Sequence, residues 1–386
     1  MTQITFDDKE KQILEELREF QKKDYSFSSG HILGSMCCQA HPVAKKAYYQ
    51  FLETNSGDPG LFPGTKEIEE KFLSFILNFV KAPKTASGHI VSGGTEGNIS
   101  AMWIAKKRSR KNEIILPASA HFSFEKIASL MDMKLIPIPL TKQHTMDVTK
   151  IKTHITDNTA AIVGIAGTTD VGAIDPIPDL SDLCYQEHIF LHVDAAFGGF
   201  IIPFLHQLGY DVPVIDFTLP GISTISLDAH KMGYAAIPLG TLVLKDKSWL
   251  KEISVKSQCI STDTQAGILG TRSGAPVAAG YAVTHYLQNE GYKKRVQTII
   301  DMTTYAVQKI NEIGLSLVTK PVLNVIAVHV DHLNEIVNRL ETYGWKVNKI
   351  KHLSSFRLVI MPQITKKIID EFITVLKKTC KEVGEL

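Results

Sequence analysis

The sequence predicts an α/β fold, with a mainly parallel sheet in a large domain and a compact α+β domain at the C-terminus. Three observations carry that expectation. From Thr65 onward, short apolar runs alternate with helical stretches, the order that places helices on both faces of a parallel sheet. At 386 residues the chain can build one large core and a smaller one. After a helical region over 275–313, two further strand-like runs are each followed by a helical one.

The elements follow in chain order. Residues 7–22 read as an amphipathic helix with Ile13, Leu14, Leu17 and Phe20 on one face. A stretch containing Gly, Ser and His (24–42) leads into a short helix reaching about Leu52. The turn-rich passage Asn55–Gly64 is long for a connection and reads as a binding loop or an interface segment. Residues 1–64 thus form an N-terminal helical segment and loop. Thr65 is placed to cap a helix reaching about Lys81. Strands are expected at His89–Val91, Glu113–Leu116, Lys134–Ile138, Ala160–Ala166, Ile189–Val193, Thr224–Leu227 and Thr241–Leu244. Helices over 95–108, 123–131 and 179–187 separate several of them, and the large domain spans 65–290. The small domain, 291–386, takes strands near 323–330 and 356–361 and helices near 333–343 and 364–382.

Bulk composition narrows the function. Forty-two basic and 40 acidic side chains leave a net charge of +2, which makes no electrostatic case for nucleic acid or a charged membrane surface. The five cysteines (37, 38, 184, 259, 380) form no C-x-x-C pair, and adjacent Cys37 and Cys38 suit neither a metal site nor an ordinary disulfide. A reducing, cytoplasmic setting fits them. Met1–Glu10 lacks the basic and apolar regions of a signal peptide. The most apolar run, Phe197–Leu205, is shorter than the roughly 20 residues of a membrane span.

Three constellations carry chemistry. Ser92-Gly93-Gly94-Thr95-Glu96-Gly97-Asn98 follows one expected strand and opens a helix, so small residues and free N–H groups can meet a phosphate there. A Gly-rich turn with Thr95 as an ordinary cap explains the same residues, and no nucleotide-binding fingerprint is matched. Asp194 ends the strand Ile189–Val193, where α/β sheets bind ligands, and small residues follow it. Taken alone it reads more readily as a turn cap; a metal site with His192 lacks partner ligands, and no metal is expected. Lys231 follows Ser226-Leu227-Asp228-Ala229-His230, and a lysine in that place can hold an aldehyde as a Schiff base, although most lysines are solvated surface charges. Taken together, a phosphate loop, a strand-end acid and a post-strand lysine are what pyridoxal phosphate requires, the acid keeping the ring nitrogen protonated.

The motifs Ser-Gly-Gly-Thr-Glu-Gly-Asn (92–98), His-Val-Asp-Ala-Ala-Phe-Gly-Gly (192–199) and Asp-Ala-His-Lys-Met-Gly (228–233) resemble the group II pyridoxal-phosphate-dependent amino acid decarboxylases. The likeness runs from about Gly30 to the C-terminus. Segments 34–36, 53–62, 120–126 and 268–272 make it most similar to the archaeal tyrosine/aspartate decarboxylases. The resemblance implies the aspartate-aminotransferase-like fold (fold type I), a homodimer, and conversion of L-tyrosine to tyramine or L-aspartate to β-alanine, for methanofuran and coenzyme A synthesis. It also implies roles by position. His121 matches a histidine stacked on the cofactor ring, and Thr169 a threonine beside it. Gly94, Thr95 and His230 match phosphate contacts, and Arg357 matches an arginine that holds the substrate carboxylate. Asp194 and Lys231 keep the roles given above.

The chain departs from the family in two places. Asp228 stands where several relatives carry Asn near the phosphate. Many relatives also have a proton-donating tyrosine on a loop ahead of Ile268-Leu269-Gly270-Thr271-Arg272; here Cys259 occupies that slot. Tyr234 and His121 are then the candidate donors. Leu61 and Phe62 are candidates for an apolar wall against a tyrosine substrate. A carbon–carbon lyase resembling sphingosine-phosphate lyase, and a protein that binds the cofactor without turnover, are the alternatives.

Overall fold

A seven-stranded sheet carries the long middle of the chain. The computed structural model describes residues 7–386, so residues 1–6 of the N-terminus judged to lack a signal peptide lie outside the described residues. The strands are β1 Ser87–Val91, β2 Glu113–Pro117, β3 Lys134–Ile138, β4 Thr159–Ile165, β5 Phe190–Asp194, β6 Ile222–Asp228 and β7 Gly240–Leu244. Their spatial order is β1-β7-β6-β5-β4-β2-β3. Every pairing from β3 across to β6 is parallel, while β7 runs antiparallel to both β6 and β1. The helices of this part are α1 Asp8–Gln21, α2 Pro42–Gln50, α3 Pro63–Phe79, α4 Gly94–Ser109, α5 Ser123–Met131, α6 Ile177–Gln186, α7 Ile202–Gln207 and α8 Ala275–Glu312.

Strand periodicity divides the core between two faces. On β4, Ala161, Val163 and Ile165 pack with Met102, Ile104 and Phe124 of α4 and α5. Ile162 belongs to the other face, with Phe72 and Ile76 of α3, Leu180 of α6 and Phe204 of α7. Because both faces are covered, all residues of β4 and β6 are buried, which is why such strands read as unbroken apolar runs. The fold class expected from the sequence is the one observed.

Past a short hairpin, β8 Ser254–Lys256 with β9 Thr264–Ala266, α8 leads into a second sheet. Its strands, β10 Ser316–Leu317, β11 Val325–His329, β12 Asn348–Ile350 and β13 Ser355–Val359, run antiparallel in the order β10-β11-β13-β12. Helices α9 Leu333–Thr342 and α10 Lys366–Val383 bury apolar stripes against this part of the core.

Several local expectations need correction. Helix α3 starts at Pro63, whose fixed φ suits the first helical position, so Thr65 is buried in the first turn and does not cap. The helical run 275–313 is broken at Gln288, with φ 48° and ψ −165°. The hairpin β8–β9 was not expected, because its residues are mostly polar and half exposed and show no apolar alternation. The apolar face of α1 exists, but no residue of that helix is buried.

Candidate active site

Strands β1, β2, β4, β5 and β6 run parallel, so the loops leaving their carboxyl ends converge on one edge of the sheet. These loops enclose a cavity of about 370 Å³ lined by Gly94, Thr95, His121, Thr169, Asp194, His230 and Lys231. The residues expected to bind the cofactor therefore share one space, while Arg357 stands outside its lining.

The loop after β1 passes into α4 at Gly93 and Gly94. A Cβ at position 94 would lie 2.9 Å from the Ala196 Cβ, and one at position 93 would lie 3.1 Å from His230 Cε1. Only glycine leaves that space open. The Glu96 carboxylate takes the Ser92 N–H at 2.7 Å, leaving the amides of the first turn of α4 and the Thr95 hydroxyl at the cavity wall. A small anion such as a phosphate fits this cradle.

Gly240, at the start of β7, makes the cradle possible. Strand β7 lies between β1 and β6, and the loops after those two strands must meet across its first residue. A Cβ on Gly240 would stand 2.7 Å from Asp228 Oδ1 and 2.8 Å from Gly93 Cα. Without that glycine the Lys231 turn could not close on the Gly93–Gly94 turn.

Asp194 accepts the Asn98 side-chain N–H on Oδ2 at 2.8 Å and the Ala196 backbone N–H on Oδ1 at 3.1 Å. Each oxygen keeps acceptor capacity toward the cavity. Lys231 sits in the turn after β6, its Nζ 3.3 Å from Asp228 Oδ2. Three further contacts hold that turn: Cys38 Sγ donates to Lys231 O at 3.0 Å, the His41 N–H donates to Tyr234 O at 2.9 Å, and Tyr292 donates to Gly233 O at 2.9 Å. Tyr234 itself adopts a left-handed φ of 61°, a strained conformation next to the lysine that its surroundings must enforce. His230 turns Nδ1 toward Leu239 O at 2.8 Å and Nε2 toward Asp228 at 3.7 Å. Asp228 thus faces two nitrogen bases through Oδ2, while its Oδ1 is buried without a partner.

His121 accepts the Ser123 N–H on Nδ1 at 3.2 Å, so its ring proton sits on Nε2. Burial lowers its pKa, with Lys231 adding to the effect and Asp194 opposing it. A neutral imidazole with a free donor results.

Arg357 is placed differently from the others. It lies behind Thr169, spending Nη1 on Thr169 O and Nη2 on Gly34 O, each at 2.6 Å, with Nε buried and unpartnered. Tyr234 does not line the cavity; its ring packs against Tyr292 and Arg295, and burial drives its pKa far up. Of the two candidate donors, only His121 lines the cavity. Cys259, Leu61 and Phe62 also lie outside the cavity lining, Cys259 and Leu61 being exposed. Their loops are joined instead, since Ser261 donates to Asp58 and accepts the Gly60 N–H at 2.7 Å. Apolar lining comes from Met36, Phe122 and Phe197, which no motif singled out as a wall. Asn98 was legible only as the last letter of the glycine motif.

Comparison with known proteins places this geometry. The pyridoxal-dependent decarboxylase conserved domain matches residues 60–330. A probable L-tyrosine/L-aspartate decarboxylase of Methanosphaera stadtmanae is 43% identical over 369 residues, 94% of this chain and 95% of the other. An L-aspartate/L-glutamate decarboxylase of Pyrococcus horikoshii is 44% identical over 371 residues, 95% of this chain and 96% of its own. Among solved structures, a Burkholderia pseudomallei sphingosine-1-phosphate lyase superposes with a TM-score of 0.89 at 26% identity, covering 99% of this chain and 92% of the other. A Lactobacillus brevis glutamate decarboxylase, with a TM-score of 0.88 at 22% identity over 100% of this chain and 95% of its own, shares the fold. Pyridoxal phosphate is the cofactor that this family uses, and the glycine cradle, the strand-end acid and the lysine fit it. The chain belongs to the pyridoxal-dependent decarboxylase family.

Proposed function

We propose that the chain releases CO2 from an L-amino acid, with L-tyrosine and L-aspartate as its candidate substrates. The observation that carries this is the meeting of Asp194, Lys231 and the Gly93–Gly94 cradle around one cavity. Pyridoxal phosphate, when bound, supplies an electron sink for the pair left behind when CO2 departs. Lys231, at the cavity wall, would hold the cofactor covalently through its Nζ. Asp194 would face the ring nitrogen, and Gly94, Thr95 and His230 would hold the phosphate. His121 would cover the ring, and its Nε2–H offers a proton at the cavity wall. Thr169 would flank the ring, and Arg357 behind it, its two terminal nitrogens held by Thr169 O and Gly34 O, would draw the substrate carboxylate by its charge and its remaining N–H groups. Holding that carboxylate out of the ring plane selects which bond breaks.

Relatives at 43–44% identity bear decarboxylase names, against 26% for the lyase. The apolar lining by Met36, Phe122 and Phe197 suits the ring of tyrosine. Aspartate would need a cation for its second carboxylate, and the described lining residues offer only Lys231 and the two histidines. Tyramine and β-alanine would then supply methanofuran and coenzyme A synthesis. A homodimer is supported by the uncovered apolar face of α1 and by exposed Leu61, Ile268 and Leu269 on the joined loops. The free cysteines support a cytoplasmic setting, and no described helix is long and apolar enough to cross a membrane.

The test is to incubate the purified holoprotein with single amino acids and measure CO2 and amine. Tyrosine is expected to show the higher kcat/KM. No amine from any amino acid, with cleavage of a phosphorylated long-chain base, would establish the lyase instead. Lys231→Ala is expected to abolish the absorbance band near the visible edge; an unchanged band would refute the role of Lys231.

A further inference from the structure

We propose that His192 is a positioning residue: through the side-chain amide of Asn98 it fixes how the Asp194 carboxylate is presented to the cofactor ring nitrogen. The inference rests on the reading that Asp194 holds that nitrogen.

His192 and Asp194 are two residues apart on β5, so their side chains project from the same face of the sheet. Asn98, on α4, stands over both. His192 Nε2 lies 2.9 Å from Asn98 Oδ1, Asn98 Nδ2 donates to Asp194 Oδ2 at 2.8 Å, and His192 Nδ1 lies 2.9 Å from Thr224 Oγ1. Ser226 donates to the same Asn98 oxygen at 3.2 Å, and Asn98 Nδ2 reaches Ser123 Oγ at 3.1 Å. His192 and Thr224 are 0% exposed and Asn98 is 1% exposed, so water does not substitute for any link.

The protons in this row can be arranged in one way. A carboxylate has only acceptors, so the Asn98 amide must turn its NH2 toward Asp194. Its oxygen then faces His192, which must carry its proton on Nε2. Nδ1 is left as an acceptor for the Thr224 hydroxyl. Burial lowers the His192 pKa to about 4, with Asp194 and Thr224 opposing, so the imidazole stays neutral through the ordinary working range. Were His192 apolar, one of the two donors that pin the amide oxygen would be lost and the amide could turn. The carboxylate would then lose the donor that sets its angle. Nothing in this row touches substrate, so its influence on the chemistry runs through Asp194.

The experiment uses holoprotein reconstituted with pyridoxal phosphate carrying nitrogen-15 in the ring, whose resonance reports protonation of that nitrogen. His192→Leu is expected to move the resonance toward the unprotonated position and to lower kcat about 10- to 100-fold at nearly constant KM, by analogy with the loss of a hydrogen-bond partner that orients a metal ligand. His192→Gln, which keeps a donor, is expected to recover much of both. If His192→Leu does not fold, Thr224→Val decides the matter: at almost unchanged volume it removes the hydroxyl that donates to Nδ1 but keeps the Thr224 backbone acceptor, so the ring proton is drawn toward Nδ1 and away from the Asn98 oxygen, and the resonance should shift in the same direction. A wild-type resonance in either folded apolar variant, even with activity lost, would overturn the proposal. Asp194→Asn is the separate control: an unmoved resonance there would overturn the role of Asp194 itself.

Discussion

Lowering the pH from 7 to 5 should destabilise the cofactor-free protein by about 3 kcal/mol, chiefly through two buried histidines. Burial lowers the pKa of His192 and of His89 from 6.5 to about 4. Between those values the unfolded chain binds a proton at each site and the native chain does not, so stability is present above pH 6.5 and is lost as the pH falls toward 4. At pH 5 each histidine costs about 2 kcal/mol relative to pH 7. Asp175 acts in the opposite sense. Burial raises its pKa from 3.8 to about 6, against two backbone N–H groups at 2.7 and 2.8 Å. The native carboxyl therefore takes a proton before the unfolded one does and returns about 1 kcal/mol at pH 5. The assay is urea unfolding of the apoprotein at both pH values, with the midpoint compared at constant m. In His192→Gln the loss should shrink to about 1 kcal/mol, because only His89 then opposes Asp175. A wild type as stable at pH 5 as at pH 7, or a variant with the full wild-type loss, would refute the reasoning.

Three further outcomes follow from single contacts. Gly240→Ala should weaken cofactor binding about tenfold or more and cost about 1–3 kcal/mol of stability, since the added methyl meets Gly93 backbone at 2.8 Å; titration of apoprotein with cofactor measures the first effect. Arg357→Lys should cut kcat/KM by at least about tenfold, because one ammonium cannot serve both Thr169 O and Gly34 O, and a lost charged hydrogen bond costs about 1.5–3 kcal/mol; steady-state kinetics read it. Tyr234→Phe should leave kcat unchanged and raise stability by about 1 kcal/mol, since the hydroxyl is buried with no partner. A large fall in kcat there would return Tyr234 to the list of proton donors.

The parts of this molecule that were legible in advance share a physical cause. Asp194 ends β5, Lys231 follows β6 and the glycines follow β1, each strand having a buried carboxyl end, and a polar or small residue after an apolar run is a strong signal. What could not be read depends on partners distant in sequence. The direction of β7 is invisible because antiparallel and parallel strands buried on both faces have the same composition. Arg357 reads as a strand cation, and only the fold reveals that two backbone carbonyls absorb it. Tyr234 stands three residues from Lys231 and was an obvious donor candidate, yet its left-handed backbone is accompanied by a ring packed into the core, away from the cavity. Asn98 sits inside a quoted motif, but its connection to His192 spans 94 positions.

The same distinction explains why residues 33–41 matter to a site whose chemistry lies between 92 and 231. That stretch contains no charged residue and matched no motif beyond its family likeness. In the fold it joins the two sheets. Leu33 and Gly34 both donate to Lys346 O, Leu33 O accepts the Val359 N–H, and Gly34 O takes one arm of Arg357. Farther on, Met36 lines the cavity, Cys38 anchors Lys231 O and the His41 N–H anchors Tyr234 O. One short strap thus touches the small sheet, the arginine and the lysine turn in succession. A shift of the small sheet relative to the large one pulls on both ends of that strap, so the separation of Arg357 from Lys231 is set jointly by residues belonging to neither.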